Sequence, residues 1–322
     1  ASTLSAEYTV DGPGGQTNLL TKKCKRQMEK SRLSYIYAGV AIFFWATIPT
    51  AFKICLAELE ILTMLAIATF TSTAALFLIL AAEGKLSLIR RNTPKELLGS
   101  ALLGTINPFV YYLILLKAYQ LLPAQVAQPL NMIWPIILVF LSVPILKQKI
   151  PARSFIALFI SFLGVYIISS QGNLFFRDHA SLKGVLLATG SSVFWAFYFI
   201  MNVRDPRDEA VKLFLNFLFA SIILAGVMII TGRWDTDTAP GGIIAAVYIG
   251  LFEMGITFFL WLKALQLAPS TDRVSNLVYL APFLSLVFVH FILGEPLFLT
   301  TPAGLLLIVF GILIQTRRVR SK

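Results

Sequence analysis

One acidic residue, Glu253, lies deep within a long apolar stretch, and two further side chains follow it at helical spacing. Glu253, Thr257 and Trp261 are each four residues apart, so a helix would present all three on one face. A charged carboxylate in hydrocarbon costs a few kcal/mol even on lenient insertion scales. Glu253 could be a neutral, hydrogen-bonded structural acid, but we favour a group that binds a substrate amine or carries a proton.

Other apolar stretches carry similar stripes of polar and aromatic side chains, which we expect to line one cavity. The candidate substrate-binding residues are Trp45, Asn107, Tyr111, Gln128, Asn131, Trp134, Trp195, Tyr198, Asn202, Glu253, Thr257, Trp261, Asn276 and Tyr279. Each class also has a structural interpretation. Hydroxyl and amide side chains can join neighbouring helices, and a Trp can anchor a helix at the membrane interface.

The overall composition is that of a membrane protein. The 322-residue chain is 57% apolar and 13% charged, with a mean hydropathy of +0.79, whereas a soluble domain has about one quarter charged residues. The net charge of +11 does not indicate nucleic-acid binding, because the basic residues are spread over short segments between apolar runs. Cys24 and Cys55 form neither a disulfide framework nor a metal-ligand spacing, so we expect no metal and no cofactor.

The apolar runs predict an all-α polytopic membrane protein, since each is long enough to span a bilayer as a helix. None alternates apolar and polar residues at period two, which excludes a strand barrel. The ten predicted spans are 34–54, 61–82, 97–120, 124–146, 152–170, 182–203, 210–231, 241–264, 274–293 and 302–316. Pro135 and Pro282, within the fourth and ninth spans, should kink their helices.

An internal repeat divides these spans into two halves. LLKAYQLLPA at 115–124 and WLKALQLAPS at 261–270 match at six of ten positions, 146 residues apart, and FFWA at 43–46 corresponds to VFWA at 193–196. Five spans per half is an odd number, so the second half must be inverted in the membrane. The predicted units are a polar, disordered segment at 1–33, repeats at 34–170 and 182–316 around a central cavity, and a basic tail at 317–322.

The distribution of basic residues predicts the orientation. With the amino terminus in the cytoplasm, 22 of the 27 lysines and arginines fall in cytoplasmic segments and five outside. This excess predicts a multi-pass protein of the plasma or inner membrane with both termini cytoplasmic. It also places Lys117 and Lys263, the matched lysines of the repeat, at opposite faces. We expect Lys117 and Lys263 to have structural roles at these helix ends. We expect the same of His290 and Glu295, near the outer rim.

Two five-helix halves, each with a Lys-Ala-x-Gln-Leu-x-Pro corner and a mid-span proline, resemble the EamA family of the drug/metabolite transporter superfamily. The second half is the more similar to the family, and it includes the recurrent family signature Gly294-Glu295-Pro296. At the corresponding place the first half has Lys147-Gln148-Lys149, without the acidic residue. The resemblance implies that spans 1, 3, 4, 6, 8 and 9 surround the cavity and that spans 5 and 10 lie outside. The stretch Asn131 to Pro135 is also similar to the Asn-x-x-Trp-Pro stretch of aromatic amino-acid exporters in the superfamily.

We therefore expect a secondary transporter that exports or exchanges small organic metabolites by alternating access, with amino acids as the favoured substrates. Its partners would be that substrate and the lipid bilayer, with no nucleic acid, in a monomer or homodimer. An antiporter of phosphorylated sugars or nucleotide sugars is the nearest alternative, but it would require several cationic side chains at cavity depth. A non-transporting receptor or an enzyme is a further alternative, although the sequence contains none of the usual hydrolase or metalloprotease motifs.

Overall fold

A computed structural model describes residues 13–147, 152–171, 181–232, 240–268, 274 and 277–316. These residues form long helical segments joined by short connections, with a helical turn at Leu86–Ile89 between α2 and α3. The segments are α1 (Pro13–Glu58), α2 (Ile61–Ala82), α3 (Pro94–Leu121), α4 (124–146), α5 (Ala152–Ser169), α6 (Leu182–Arg204), α7 (Glu209–Thr231), α8 (240–267), α9 (Leu277–Leu293) and α10 (Thr300–Thr316).

By length and composition, seven of the described helices can cross a membrane: α1 to α4 and α6 to α8. Three shorter apolar helices, Phe155–Ile168, Leu277–Leu293 and Thr300–Ile314, occupy the predicted fifth, ninth and tenth spans. The described residues contain no strand. The prediction of an all-α polytopic membrane protein is confirmed.

The first helix is longer than predicted. It begins at Pro13, so residues 13–33, expected to be disordered, are helical in the structure. Extending an existing helix by one residue costs far less than starting a new one. The segment LLTKKCKRQMEK also consists largely of residues that favour helices. Residues 1–12 lie outside the described part of the chain.

Four helices are interrupted near the middle of the bundle. α3 and α8, predicted as continuous spans, contain wide π-helical turns at Thr105–Val110 and Gly250–Gly255. α4 divides into Ala124–Asn131 and Trp134–Leu146, with Pro135 at the start of the second segment. Such irregular turns in membrane helices free backbone groups and often occur at functional sites.

The fourth interruption is in α9, which begins with a 3₁₀ turn at Leu277–Leu280 before the α-helix that carries Pro282 near its start. Pro135 and Pro282 were expected to kink continuous helices. In the structure each proline instead lies at the start of a new helical segment, where its missing N–H costs nothing.

We name the two ends of the bundle by α1: the N-side face, near Ser34, and the far face, near Cys55. Ser34 Oγ donates a 2.6 Å hydrogen bond to Ala264 O, and Cys55 Sγ donates to Gly242 O at 3.4 Å. α1 and α8 therefore run antiparallel along their length, as alternate crossing of the membrane requires.

Corresponding glycines in the two halves allow corresponding close contacts. A side chain at Gly104 in α3 would collide with the backbone of Asn216 in α7. One at Gly250 in α8 would lie 2.5 Å from Ala68 O in α2. The two glycines are 146 residues apart, the offset of the sequence repeat. Each half thus uses a glycine to bring its third helix against the second helix of the other half.

α5 packs mainly against α10, the last helix of the other half. A Cβ added at Gly164 would lie 2.6 Å from Gly304 O and 2.9 Å from Ile308 Cγ1, and one added at Gly311 would lie 2.8 Å from Ala157 O. Small residues at such an interface bring two backbones together, which drives helix association in membranes.

Candidate functional site

The carboxylate of Glu253 is bound by a tyrosine from the other half of the chain. Tyr112 Oη donates a 2.9 Å hydrogen bond to Glu253 Oε1. Glu253 lies in the π-helical turn of α8, and Tyr112 is the second residue after the corresponding turn of α3. Tyr112 is only 1% exposed, whereas Glu253 keeps part of its surface accessible. Among the described residues, Tyr112 is the only hydrogen-bond donor to this carboxylate.

A second polar network joins α3, α4 and α6. Tyr111 Oη donates to Asn131 Oδ1 at 3.2 Å, and Asn131 Nδ2 donates to Ser191 Oγ at 2.8 Å. Ser192 Oγ donates to Asn131 O, also at 2.8 Å. That carbonyl is available because α4 ends its first segment at Asn131. The break in α4 and the predicted polar face of α6 therefore stabilise one another.

A third network lies toward the N-side face. Asn216 Nδ2 donates to Tyr198 Oη and to Asn202 Oδ1, both at 3.2 Å, and the Asn107 side chain is within hydrogen-bonding reach of Tyr198. Asn107 interrupts α3, with φ −145° and ψ 122°. The Oδ1 atoms of Asn107 and Asn216 are buried and have no partner among the described residues. A hydrogen bond from a water or a ligand would satisfy these two buried acceptors.

Aromatic rings connect these networks across the interior of the bundle. The Trp45 ring of α1 lies 5.3 Å from that of Trp261 and 5.8 Å from that of Phe258, both in α8. The Phe258 ring lies 5.8 Å from Trp195 of α6, and Trp195 lies 5.2 Å from Tyr111 of α3. We call the following residues the central cluster: Trp45, Tyr111, Tyr112, Asn131, Trp134, Trp195, Tyr198, Glu253, Phe258 and Trp261.

The central cluster is closed toward the far face and more accessible toward the N-side face. In α3, Tyr112, Leu115 and Tyr119 follow one another toward the far face, and each is less than 5% exposed. Their counterparts in α8, 146 residues later, are Phe258, Trp261 and Leu265, and all three are partly exposed. Phe258 contacts rings from both α1 and α6, so it lies between these helices.

A carboxylate closes the far face. Glu295, which follows α9, accepts hydrogen bonds from the backbone N–H groups of Ala124 at 2.9 Å and Gln125 at 3.3 Å, the first residues of α4. It also interacts electrostatically with Lys53 of α1. The Gln125 side chain in turn bonds to Pro296 O. We call this arrangement the far-face latch; it ties α1, α4 and the α9–α10 connection together.

Charged residues join three elements at the N-side face. Lys85 Nζ lies 2.8 Å from both Glu83 Oε2 and Asp208 Oδ2, and Lys263 Nζ lies 3.0 Å from Glu83 Oε1. Hydrogen bonds from Lys85, and then from Lys263, hold the pKa of the Glu83 carboxyl below its usual value. The end of α8 is thereby fixed to the α2–α3 and α6–α7 connections.

Some predicted site residues lie away from the central cluster. Gln128 accepts a hydrogen bond from Ser285 and joins α4 to α9, and Thr257 is fully buried with no partner among the described residues. Tyr279 is half-buried in the 3₁₀ turn of α9, and Asn276 lies outside the described residues.

Three members of the site were not predicted. Tyr112, Asn216 and Phe258 contribute the donor to Glu253, the amide beside Tyr198 and the ring between two tryptophans. A signal existed for Asn216, since it lies in the middle of the apolar run LFLNFLFA. Among the described residues, no three His, Cys, Asp or Glu side chains converge as a metal site would require.

A cavity of about 380 Å³ opens at the far face and is lined by Glu60, Ile61, Leu62, Leu113, Lys117 and Gln120. It contains no residue of the central cluster. The candidate site therefore rests on the central cluster and not on this cavity.

Comparison with known proteins agrees with this architecture. The model of the EamA-like transporter family matches the chain twice, at residues 32–170 and 182–317. The uncharacterized transporter YvbV of Bacillus subtilis is 29% identical over 309 residues, 92% of this chain and 96% of that protein. An uncharacterized transporter of Archaeoglobus fulgidus is 26% identical over 291 residues, 88% and 99% of the two chains.

A solved crystal structure with 20% sequence identity superposes with a TM-score of 0.61 and covers 89% of this chain and 97% of its own. At that identity the likeness concerns the fold alone. The two matches to one family model account for most of the chain, and they divide it where the internal repeat does. The chain belongs to the EamA-like transporter family.

Proposed function

We propose that the chain moves small organic metabolites across the membrane by alternating access, with the central cluster as the substrate site. The observation that carries this proposal is the Tyr112–Glu253 hydrogen bond, which lies between the irregular turns of α3 and α8. Interrupted helices from two inverted halves are typical of substrate sites in secondary transporters.

The lining of the central cluster favours an organic solute with a flat apolar part and a polar end. Four tryptophans belong to the cluster, and Glu253 and Asn131 supply polar groups beside them. Amino acids are the substrates we favour within this class, and export or exchange is the direction we propose. We also propose that both termini are cytoplasmic and that the membrane is the plasma or inner membrane.

A phosphorylated-sugar antiporter is less well supported by the same lining. Organic phosphates are usually held by arginine or lysine side chains. Four described lysines within the helices have partners elsewhere. Lys53 is beside Glu295, and Lys212 Nζ is bound by Asn202 O, Asp205 O and Glu209 Oε1. Lys117 bonds to Gln120, and Lys263 pairs with Glu83.

The test is a thermal-shift screen of the purified protein against amino acids, amines, nucleosides and organic phosphates, followed by flux of labelled hits in proteoliposomes. We expect stabilisation by amino acids or amines and a saturable flux that protein-free liposomes do not show. Stabilisation by phosphates alone would refute the proposed substrate class. An absence of flux for every compound that stabilises the protein would refute transport.

A further inference from the structure

The polar groups of the central cluster are matched to a positive charge. Glu253 is the carboxylate in this part of the bundle, and the one described donor to it is the neutral hydroxyl of Tyr112. No lysine or arginine of the described residues lies beside it: Lys53 faces Glu295, and Lys212 is held by carbonyls and Glu209. A carboxylate without a cationic partner at membrane depth is stabilised when a cation binds.

The aromatic walls have the same preference. Trp45, Phe258 and Trp195 form a continuous series of rings with centroids 5.8 Å apart at each step. All three side chains are partly exposed, so part of each ring is not covered by neighbouring residues. The faces of aromatic rings carry partial negative charge and attract ammonium groups, most strongly where water is excluded.

Two of the buried atoms without a described partner near the central cluster only accept hydrogen bonds, whereas the indole N–H groups of its four tryptophans only donate. Tyr111 donates its hydroxyl hydrogen to Asn131, and Asn131 donates one of its two amide hydrogens to Ser191. The two acceptors are Asn107 Oδ1 and Asn216 Oδ1, close to Tyr198. A protonated amine carries only donors and suits the Glu253 carboxylate, whereas the carboxylate of an amino acid would be repelled by Glu253 and would have only neutral N–H groups to bind it.

We propose that the substrate of the central cluster is an organic monocation, an amine attached to a flat apolar body, and that Glu253 is its counter-ion. The inference rests on the proposed function and narrows it: amines without a carboxylate bind better than the corresponding amino acids. The aromatic rings hold the apolar body and the face of the ammonium group, and Glu253 holds its charge.

Four indole compounds that differ chiefly in charge test this inference: tryptamine, tryptophan, indole-3-acetate and indole-3-ethanol. Binding to the purified full-length protein is measured by isothermal titration calorimetry. We expect tryptamine to bind at least about tenfold more tightly than tryptophan, with indole-3-acetate the weakest. Tryptophan binding as tightly as tryptamine would overturn the inference.

Variants then assign the preference to Glu253. Glu253→Gln should weaken tryptamine binding at least about tenfold and change indole-3-ethanol binding by less than about twofold. Tyr112→Phe keeps the charge and should keep the order of the four ligands. Glu29→Gln removes an exposed carboxylate at the N-side end of α1 and should change nothing. If the Gln variant does not fold, the order of the four affinities for the unmodified protein still tests the preference for a cation.

Flux in proteoliposomes separates this inference from the proposed function. Saturable flux of tryptophan without flux of tryptamine would support the proposed transport function and overturn the preference for a cation. Flux of neither, together with no flux of any compound from the wider screen, would overturn the proposed function itself.

Discussion

The hydroxyl of Tyr112 and the carboxylate of Glu253 meet 2.9 Å apart, where α3 and α8 both depart from regular helical geometry. Glu253 corresponds by the repeat offset to Asn107, which lies five residues before Tyr112. The bond therefore joins the interruption of one half to that of the other. Any movement that separates α3 from α8 must break it, so it can couple the occupancy of the site to the arrangement of the halves.

Replacing Glu253 with Gln should abolish most transport while the protein still folds. The amide nearly preserves the shape and the hydrogen bond to Tyr112 but removes the charge and the ionisable proton. We expect flux to fall steeply or to lose its pH dependence between about pH 5.5 and about pH 8. Flux that stays within a few-fold of the unmodified protein at every pH would identify Glu253 as a structural acid.

Asn107 provides the matched control. Asn107→Asp places a second carboxylate at the corresponding position of α3, where the asparagine is 2% exposed. An unpaired charge there is costly, so we expect lower thermal stability and lower flux. If Asn107→Asp instead restored flux to Glu253→Gln, one carboxylate on either half would be sufficient for function.

Removing the charge of Glu295 should open the far face. Glu295→Gln weakens the bonds to the start of α4, and losing such a cap costs about 1 kcal/mol. The reporter is Ala124→Cys, at a position that is fully buried, with both native cysteines changed to Ser. We expect maleimide to label it several-fold faster in the Glu295→Gln variant. The exposed far-face residue Glu58 is the control, and an equal rise in Glu58→Gln would contradict a specific latch.

The charged network at the N-side face should make stability depend on acid pH. Because Lys85 and Lys263 lower the pKa of Glu83, Glu83 stabilises the fold above the usual carboxyl pKa. This contribution is lost as the pH falls through the lower pKa of the folded state. We expect Glu83→Gln to melt at a lower temperature at neutral pH and to show a smaller decrease on acidification. If the melting temperatures of the two proteins fell by the same amount from neutral to acid pH, this role would be contradicted.

Orientation is tested by cysteines at two exposed positions. Arg90, between α2 and α3, and Lys117, near the end of α3, are both exposed and lie at opposite faces of the bundle. In a cysteine-free background we expect an impermeant maleimide to label Lys117→Cys in whole cells and Arg90→Cys only after the membrane is opened. Labelling of Arg90→Cys alone in whole cells would reverse the proposed topology.

Small residues between α5 and α10 should be intolerant of a single methyl group. Gly164→Ala would place a Cβ 2.6 Å from Gly304 O, whereas the same change at Gly226 meets open space. Overpacking of this kind costs roughly 1–3 kcal/mol. We expect Gly164→Ala to lower the melting temperature by several degrees and Gly226→Ala to leave it unchanged. Equal melting temperatures would mean that the two helices separate easily.

Much of the helical organisation follows from the sequence alone. The predicted spans 61–82 and 210–231 agree with α2 and α7 to within a residue, because long apolar runs have few alternatives in a membrane. The interruption at Asn107 was missed although Pro108 follows it directly. Proline is tolerated within membrane helices, as Pro49 is in α1, so a break depends on which neighbours satisfy the freed backbone groups.

The sequence predicts which helix faces carry the polar and aromatic side chains of the candidate site. It does not predict which side chains on different helices contact each other. The stripe of α6 was recognised, and Trp195 and Tyr198 do lie in the interior. The partner of Glu253 was not recognised, because helical periodicity places Tyr111 and Tyr112 on different faces. Only the packing of α3 against α8 shows that Tyr112 reaches Glu253 and that Tyr111 turns to Asn131.

The glycine contact between α5 and α10 has a mechanical consequence. It joins the last helix of each half backbone to backbone, at Gly164 and Gly304. Such a contact has no side-chain rotamers to adjust, so it resists separation of the two helices but permits a small rotation about the point of closest approach. The proposed alternating access would therefore have the α5–α10 pair as its pivot.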